Sequence, residues 1–187
     1  MNTRSILPVL LGALWLALAT AAWAGPIGEG GPVGRVRALY ERIQGGAAAA
    51  TDDLDLLRDM AAPGLRALMD RERACRAAGE GPCRLGFSVM ADDRQRLVTH
   101  VEVSLTRGSP ARAEVLASFR NAGRPHAVVY RFAWDGGRWR LTDVRSGGNP
   151  AWSLVELLER PPAASGPAAS GPAASPATPS TTTPAQP

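Results

Sequence analysis

Between residues 96 and 145 the chain runs through four β-type segments separated by turn signals, and this stretch leaves room for few folds. The segments cover 97–106, 111–121, 126–135 and 138–145. In the first, Leu97, Val101, Val103 and Leu105 fall on one side and His100, Glu102 and Ser104 on the other. In the third, Val128, Tyr130, Phe132 and Trp134 share a face. Gly108-Ser-Pro110, Asn121-Ala-Gly123 and Asp135-Gly136-Gly137 supply the turns, and Asp-Gly is the strongest hairpin signal of the three. Period-two alternation over consecutive short segments predicts an antiparallel meander with one buried face.

The segments upstream read as helices that cover that face. Val36, Leu39, Tyr40 and Ile43 stand at helical spacing in a first helix over 33–44, which Gly45-Gly46 ends. Thr51 or Asp52 can cap a second helix with Leu54, Leu57 and Met60 on its inner face. Pro63 closes that helix and opens a third, because proline is tolerated at the first helical position and not in the interior. The third turns Leu65, Leu68 and Met69 inward and Arg71, Arg73 and Arg76 outward, and its charges over 70–73 read as a solvated face. After the strands, Asn149 as cap and Pro150 as first residue predict a last helix bearing Leu154, Val155, Leu157 and Leu158. The expected class is α+β: N-terminal helices on a curved four-stranded antiparallel meander, with a short C-terminal helix, cone-like in outline.

Both ends are expected to lie outside this domain. Residues 1–24 carry Arg4, an apolar run and the small-x-small site Ala22-Trp23-Ala24, the layout of a signal peptide. That predicts a periplasmic or secreted protein without stable membrane insertion after cleavage. Residues 25–32 form a Gly/Pro-rich leader expected to be flexible, and 33–160 suit one compact domain. Residues 161–187 repeat Pro-Ala-Ala-Ser and carry no charge, aromatic or large aliphatic side chain, so they are expected to remain a disordered tail. All 21 basic residues are arginine, against 17 acidic ones, and they alternate with acids along the helices rather than clustering. No nucleic-acid footprint results.

Cys75 and Cys83 are the two cysteines, and in an oxidising compartment a close pair reads as a disulfide. They have no histidine or cysteine partners at ligand spacing, so no metal site is expected. The leader glycines precede no Gly-Lys-Ser/Thr, and no cofactor loop is present. In the segment 85–95, Phe87 precedes Asp92, Asp93 and Gln95, an apolar-then-acidic order that could hold a ligand or a cation. Two adjacent acids without further oxygen ligands at regular spacing are weak evidence for calcium, and a solvated turn is the simpler reading. His100 is expected to meet solvent and His126 to start a strand, neither with a catalytic role. Tyr130, Phe132, Trp134, Trp139 and Trp152 supply a large apolar lining, which forms core, or a pocket if the sheet curves away from the helices.

The order of helices, then a long meander ending Gly-Gly-Arg-Trp-Arg-Leu-Thr-Asp-Val (136–144), resembles the nuclear-transport-factor-2-like cone superfamily. More narrowly, the export signal, Leu39-Tyr40, the acid–Gln loop 87–95, Trp139 with Asp143-Val144 and the Ser153-Leu154…Leu157-Leu158 helix look like an exported bacterial family. That family is of the domain of unknown function 3828 type. Arg96 stands where that family would place an acid after Gln95. The superfamily hosts isomerases, dehydratases and many non-enzymatic binders, so the resemblance implies a fold and not an activity.

The first expectation is therefore non-enzymatic binding of a small molecule or a periplasmic protein, lined by Tyr40, Tyr130, Phe132, Trp134 and Trp139. A cone-fold enzyme using Asp143 with Tyr130 is the second. An accessory or immunity-type interaction protein is the third. Whether the domain is an enzyme stays open, leaning against.

Overall fold

The computed structural model describes residues 27–28, 30–45, 51–79, 83–148 and 150–161. The expected signal peptide and all of the expected tail after residue 161 lie outside the described residues. Three helices, α1 (Pro32–Gln44), α2 (Asp53–Arg58) and α3 (Pro63–Ala78), precede four strands, β1 (Val98–Gly108), β2 (Arg112–Asn121), β3 (Arg124–Asp135) and β4 (Arg138–Ser146). A short α4 (Leu154–Glu159) follows. The strands form one antiparallel sheet in chain order, open and curved, and the class is α+β.

Local chemistry accounts for the turns and helix ends. Asp135 pairs with Arg138, so β3 and β4 meet through Gly136 and Gly137, both at positive φ (55° and 83°). A two-residue hairpin of matching twist requires that conformation at both positions, and glycine adopts it without a steric penalty. Asp52, not Thr51, caps α2, its carboxylate accepting the Leu54 N–H at 2.7 Å. Pro63 opens α3, and Gly79 ends it in the left-handed region.

Alternation holds in β2 and β3, where Ala113, Val115, Ala117 and Phe119 face the core with Val128, Tyr130 and Phe132. α1 lies over β1 and β2 and buries Val36, Leu39, Tyr40 and Ile43 there. Each such large apolar side chain contributes about 2 kcal/mol on burial. The outer edge of β4 is covered. Leu141 exchanges backbone hydrogen bonds with Met60 and Ala62, both at 2.7 Å, and the Ser146 N–H donates to the Trp152 carbonyl. Among the described residues no strand pairs with the outer edge of β1.

Three expectations are corrected. Strict alternation fails in β1, because a bulge between Thr99 and Glu102, with His100 at φ 51°, resets the register. Val98 is buried while Leu97 and Leu105 are 61% and 43% exposed. The charges of α3 are not all solvated: Glu72 is fully buried and accepts the backbone N–H groups of Arg84 and Leu85, besides the Arg76 guanidinium. The last helix starts at Leu154, after Pro150, because Ser153 supplies the cap by accepting the Glu156 N–H. Asn149, the expected cap, lies outside the described residues.

The disulfide Cys75–Cys83 is formed and ties the end of α3 to the segment leading toward the sheet. In the expected leader, Ile27 packs against the core and its carbonyl accepts the Val33 N–H. No helix among the described residues is long and apolar enough to cross a membrane.

Candidate functional site

The segment 83–97 carries no helix and lies over the sheet margin, and buried polar groups hold it at both ends. Asp53, in the first turn of α2, accepts from the Ser88 hydroxyl (2.6 Å), the Met90 N–H (3.0 Å) and the Arg96 guanidinium (2.5 Å). Asn121, at the end of β2, donates to the carbonyls of Ala91 (3.2 Å) and Gln95 (2.8 Å) and accepts the Leu97 N–H (2.7 Å). Both anchors are buried, so each would cost free energy if unpaired.

Between these anchors Asp92 adopts φ 53°, a conformation that aspartate tolerates better than most residues. Its carboxylate gathers three chain-distant donors. Trp152 Nε1 donates to Oδ1 at 2.7 Å, the Ser146 hydroxyl to Oδ2 at 2.9 Å, and His126 Nδ1 lies 3.3 Å from Oδ2. Asp92 is therefore a hub that joins the start of β3, the end of β4 and the approach to α4. The solvated turn expected for it is corrected: the side chain is only 15% exposed.

Asp92, His126 and Trp152 line a cleft of about 870 Å³. Phe87 and Trp152 meet edge to face at 5.3 Å. His126 stacks on Phe119, with ring planes 8° apart and centroids at 5.8 Å. Pro125, Ala127 and Pro150 add apolar surface, while Asp93 and Arg94 bring charge to the same cleft. Arg94 and Phe87 also line a smaller, polar cleft of about 470 Å³ beside it. There Arg96 pairs with Asp53, and Arg76 pairs with Asp52. The cleft thus combines aromatic walls with the polar side chains of Asp92, Asp93, Arg94, Ser118 and His126, which suits a ligand with an apolar body and a polar group.

The aromatic stripe expected to line a pocket sits elsewhere. Tyr40, Tyr130, Phe132 and Trp139 are buried in the core, and Trp134 packs on Trp139 at 5.3 Å. The Tyr130 hydroxyl donates to that of Tyr40 (2.9 Å), which donates to the Met90 carbonyl (2.9 Å). Burial pushes both phenols above their ordinary pKa, with the neighbouring Tyr130 adding to the effect on Tyr40.

Asp143 and Tyr130 are not brought together. Tyr130 pairs with Val144 and Arg131 with Asp143, so the two candidate side chains leave the sheet on opposite faces. The Asp143 carboxylate is buried and accepts from Ser153 Oγ, the N–H groups of Val144 and Val155, and the Arg145 guanidinium. It ties α4 to β4. Among the described residues no group of three or more histidine, cysteine or acidic side chains could hold a metal ion.

No family model matches the chain, and no curated protein matches it. Among solved structures it is similar to a phospholipid-binding protein from Ralstonia solanacearum determined in complex with a phospholipid, with 16% identity, 70% of each chain covered and a TM-score of 0.31. A likeness at that score is no basis for assigning a shape or a ligand.

Proposed function

We propose that this chain is an exported, non-enzymatic domain that binds a small, largely apolar molecule in the cleft between Phe87, Phe119 and Trp152. The observation that carries the proposal is the cleft itself. Its volume falls within the roughly 300–1,000 Å³ usual for small-molecule sites, and aromatic walls surround a few convergent polar groups. In this reading the site is the cleft and not the stripe of Tyr40, Tyr130, Phe132, Trp134 and Trp139, whose side chains pack the core. Asp143 and Tyr130 serve structure: the one holds α4, the other hydrogen-bonds Tyr40. The succession of helices, curved four-stranded meander and short last helix supports kinship with the nuclear-transport-factor-2-like fold. The layout of residues 1–24 supports export.

Native mass spectrometry of the mature protein, purified from its host's periplasm without reduction, tests this reading. A mass above that of the chain, lost on denaturation, is expected, and its value would give the ligand's chemical class. A bare mass, together with failure to take up small aromatic probes, would remove the proposal.

A further inference from the structure

His126 carries an orphaned nitrogen. Its Nδ1 lies against the Asp92 carboxylate, an acceptor, so Nδ1 bears the proton and donates. In the neutral ring Nε2 is then a bare acceptor. Nε2 is buried and has no hydrogen-bond partner, one of three such side-chain atoms among the described residues. The other two are Nε atoms of Arg66 and Arg140, single positions on guanidinium groups with further donors. The imidazole has no such reserve. Its one acceptor is unmatched, and its ring is held in place by the parallel stack on Phe119 and by Asp92, itself tied to Ser146 and Trp152. A buried polar atom left unpaired is costly and calls for an explanation in terms of what it meets.

Resting on the proposed cleft site, we infer that its ligand is a neutral apolar ring compound bearing a hydroxyl or N–H donor, and that His126 Nε2 accepts that hydrogen. Asp92 is then a positioning residue that sets the tautomer. An anionic or ether-bearing analogue finds no donor at this nitrogen and leaves it unmatched. Sites built to hydrogen-bond a ligand group reject analogues lacking it, because the buried partner is then stranded. Contact with Nε2 requires a side-chain adjustment in the cleft wall.

Calorimetric titration of the intact, oxidised protein with 2-naphthol and with 2-methoxynaphthalene tests the inference, since the probes share a ring and differ in the donor. The expected result is at least about tenfold tighter binding of 2-naphthol. The preference should collapse to about one in His126→Phe, which keeps the stack on Phe119. It should also collapse in His126→Asn, whose amide can still donate to Asp92 but places nothing at the Nε2 position. Equal binding by the wild type, or a preference surviving in His126→Asn, overturns the inference and leaves the cleft reading standing. Failure of both probes to bind at millimolar concentration overturns the two together.

Discussion

Tyr130 donates its hydroxyl proton to Tyr40 across 2.9 Å, and Tyr40 passes the chain on to the Met90 carbonyl at 2.9 Å. These are the two tyrosines of the protein, and both are buried. The pair joins α1, β3 and the segment that shapes the cleft. Burial raises both phenols above their ordinary range. An acid with a raised folded pKa keeps its proton longer in the fold than in the unfolded chain. Its contribution is therefore complete below the unfolded tyrosine value of about 10 and is lost as pH rises through the folded values. Alkaline titration followed by tyrosinate absorbance should show no ionisation near pH 10 in the native protein. Both tyrosines should then ionise together, at the pH where circular dichroism reports unfolding. A tyrosinate signal near pH 10 from folded protein would contradict this.

Asn121→Asp should be disruptive although the side chains are nearly isosteric. The amide donates to the carbonyls of Ala91 and Gln95, and a carboxylate would face both with negative charge inside the core. Loss of two buried donors and burial of a charge predict destabilisation on the order of 3 kcal/mol by urea unfolding. Affinity for 2-naphthol should fall as well, because the segment bearing Asp92 loses one of its two anchors.

Glu72→Ala should cost about 3 kcal/mol, far more than a surface charge. The change strands the N–H groups of Arg84 and Leu85, now matched at 3.1 and 3.0 Å, and removes the buried partner of Arg76 and Arg84. Arg71→Ala, on the exposed side of the same helix, should stay within about 0.5 kcal/mol. Denaturant unfolding of both variants separates the two cases.

Reduction of Cys75–Cys83 should lower stability by about 2–3 kcal/mol on the chain-entropy account of so short a loop. The fold should persist, since the disulfide closes a connection and the sheet core lies elsewhere. Unfolding curves with and without reductant measure the difference.

The sheet was legible in the sequence because each strand announces itself locally. Alternation in residues 111–121 and 126–135 needs no partner to be read, and Gly136-Gly137 names its own turn. Pro63 marks a helix start for the same reason. What escaped are features defined by partners far along the chain. Asp92 looks like half of a solvated Asp-Asp pair until His126, Ser146 and Trp152 converge on it from 34, 54 and 60 residues away. Glu72 sits in a charged run, and only the return of the chain at Arg84 and Leu85 buries it. In β1 the bulge at His100 turned a regular pattern into a misleading one. The aromatic stripe carried the opposite difficulty: core and pocket demand the same residues, and only packing distinguishes them. Trp152 was visible as an aromatic residue but not as the hydrogen-bond partner of Asp92.

The most direct test of where the ligand sits is a heteronuclear NMR titration that follows the indole N–H signals of Trp134, Trp139 and Trp152 as 2-naphthol is added. Trp152 lines the cleft and donates to Asp92, whereas Trp134 and Trp139 pack on each other across β3 and β4. The cleft account predicts a saturable shift of the Trp152 signal with the other two unmoved. Movement of Trp134 and Trp139 with Trp152 unchanged would contradict it and return the site to the aromatic stripe.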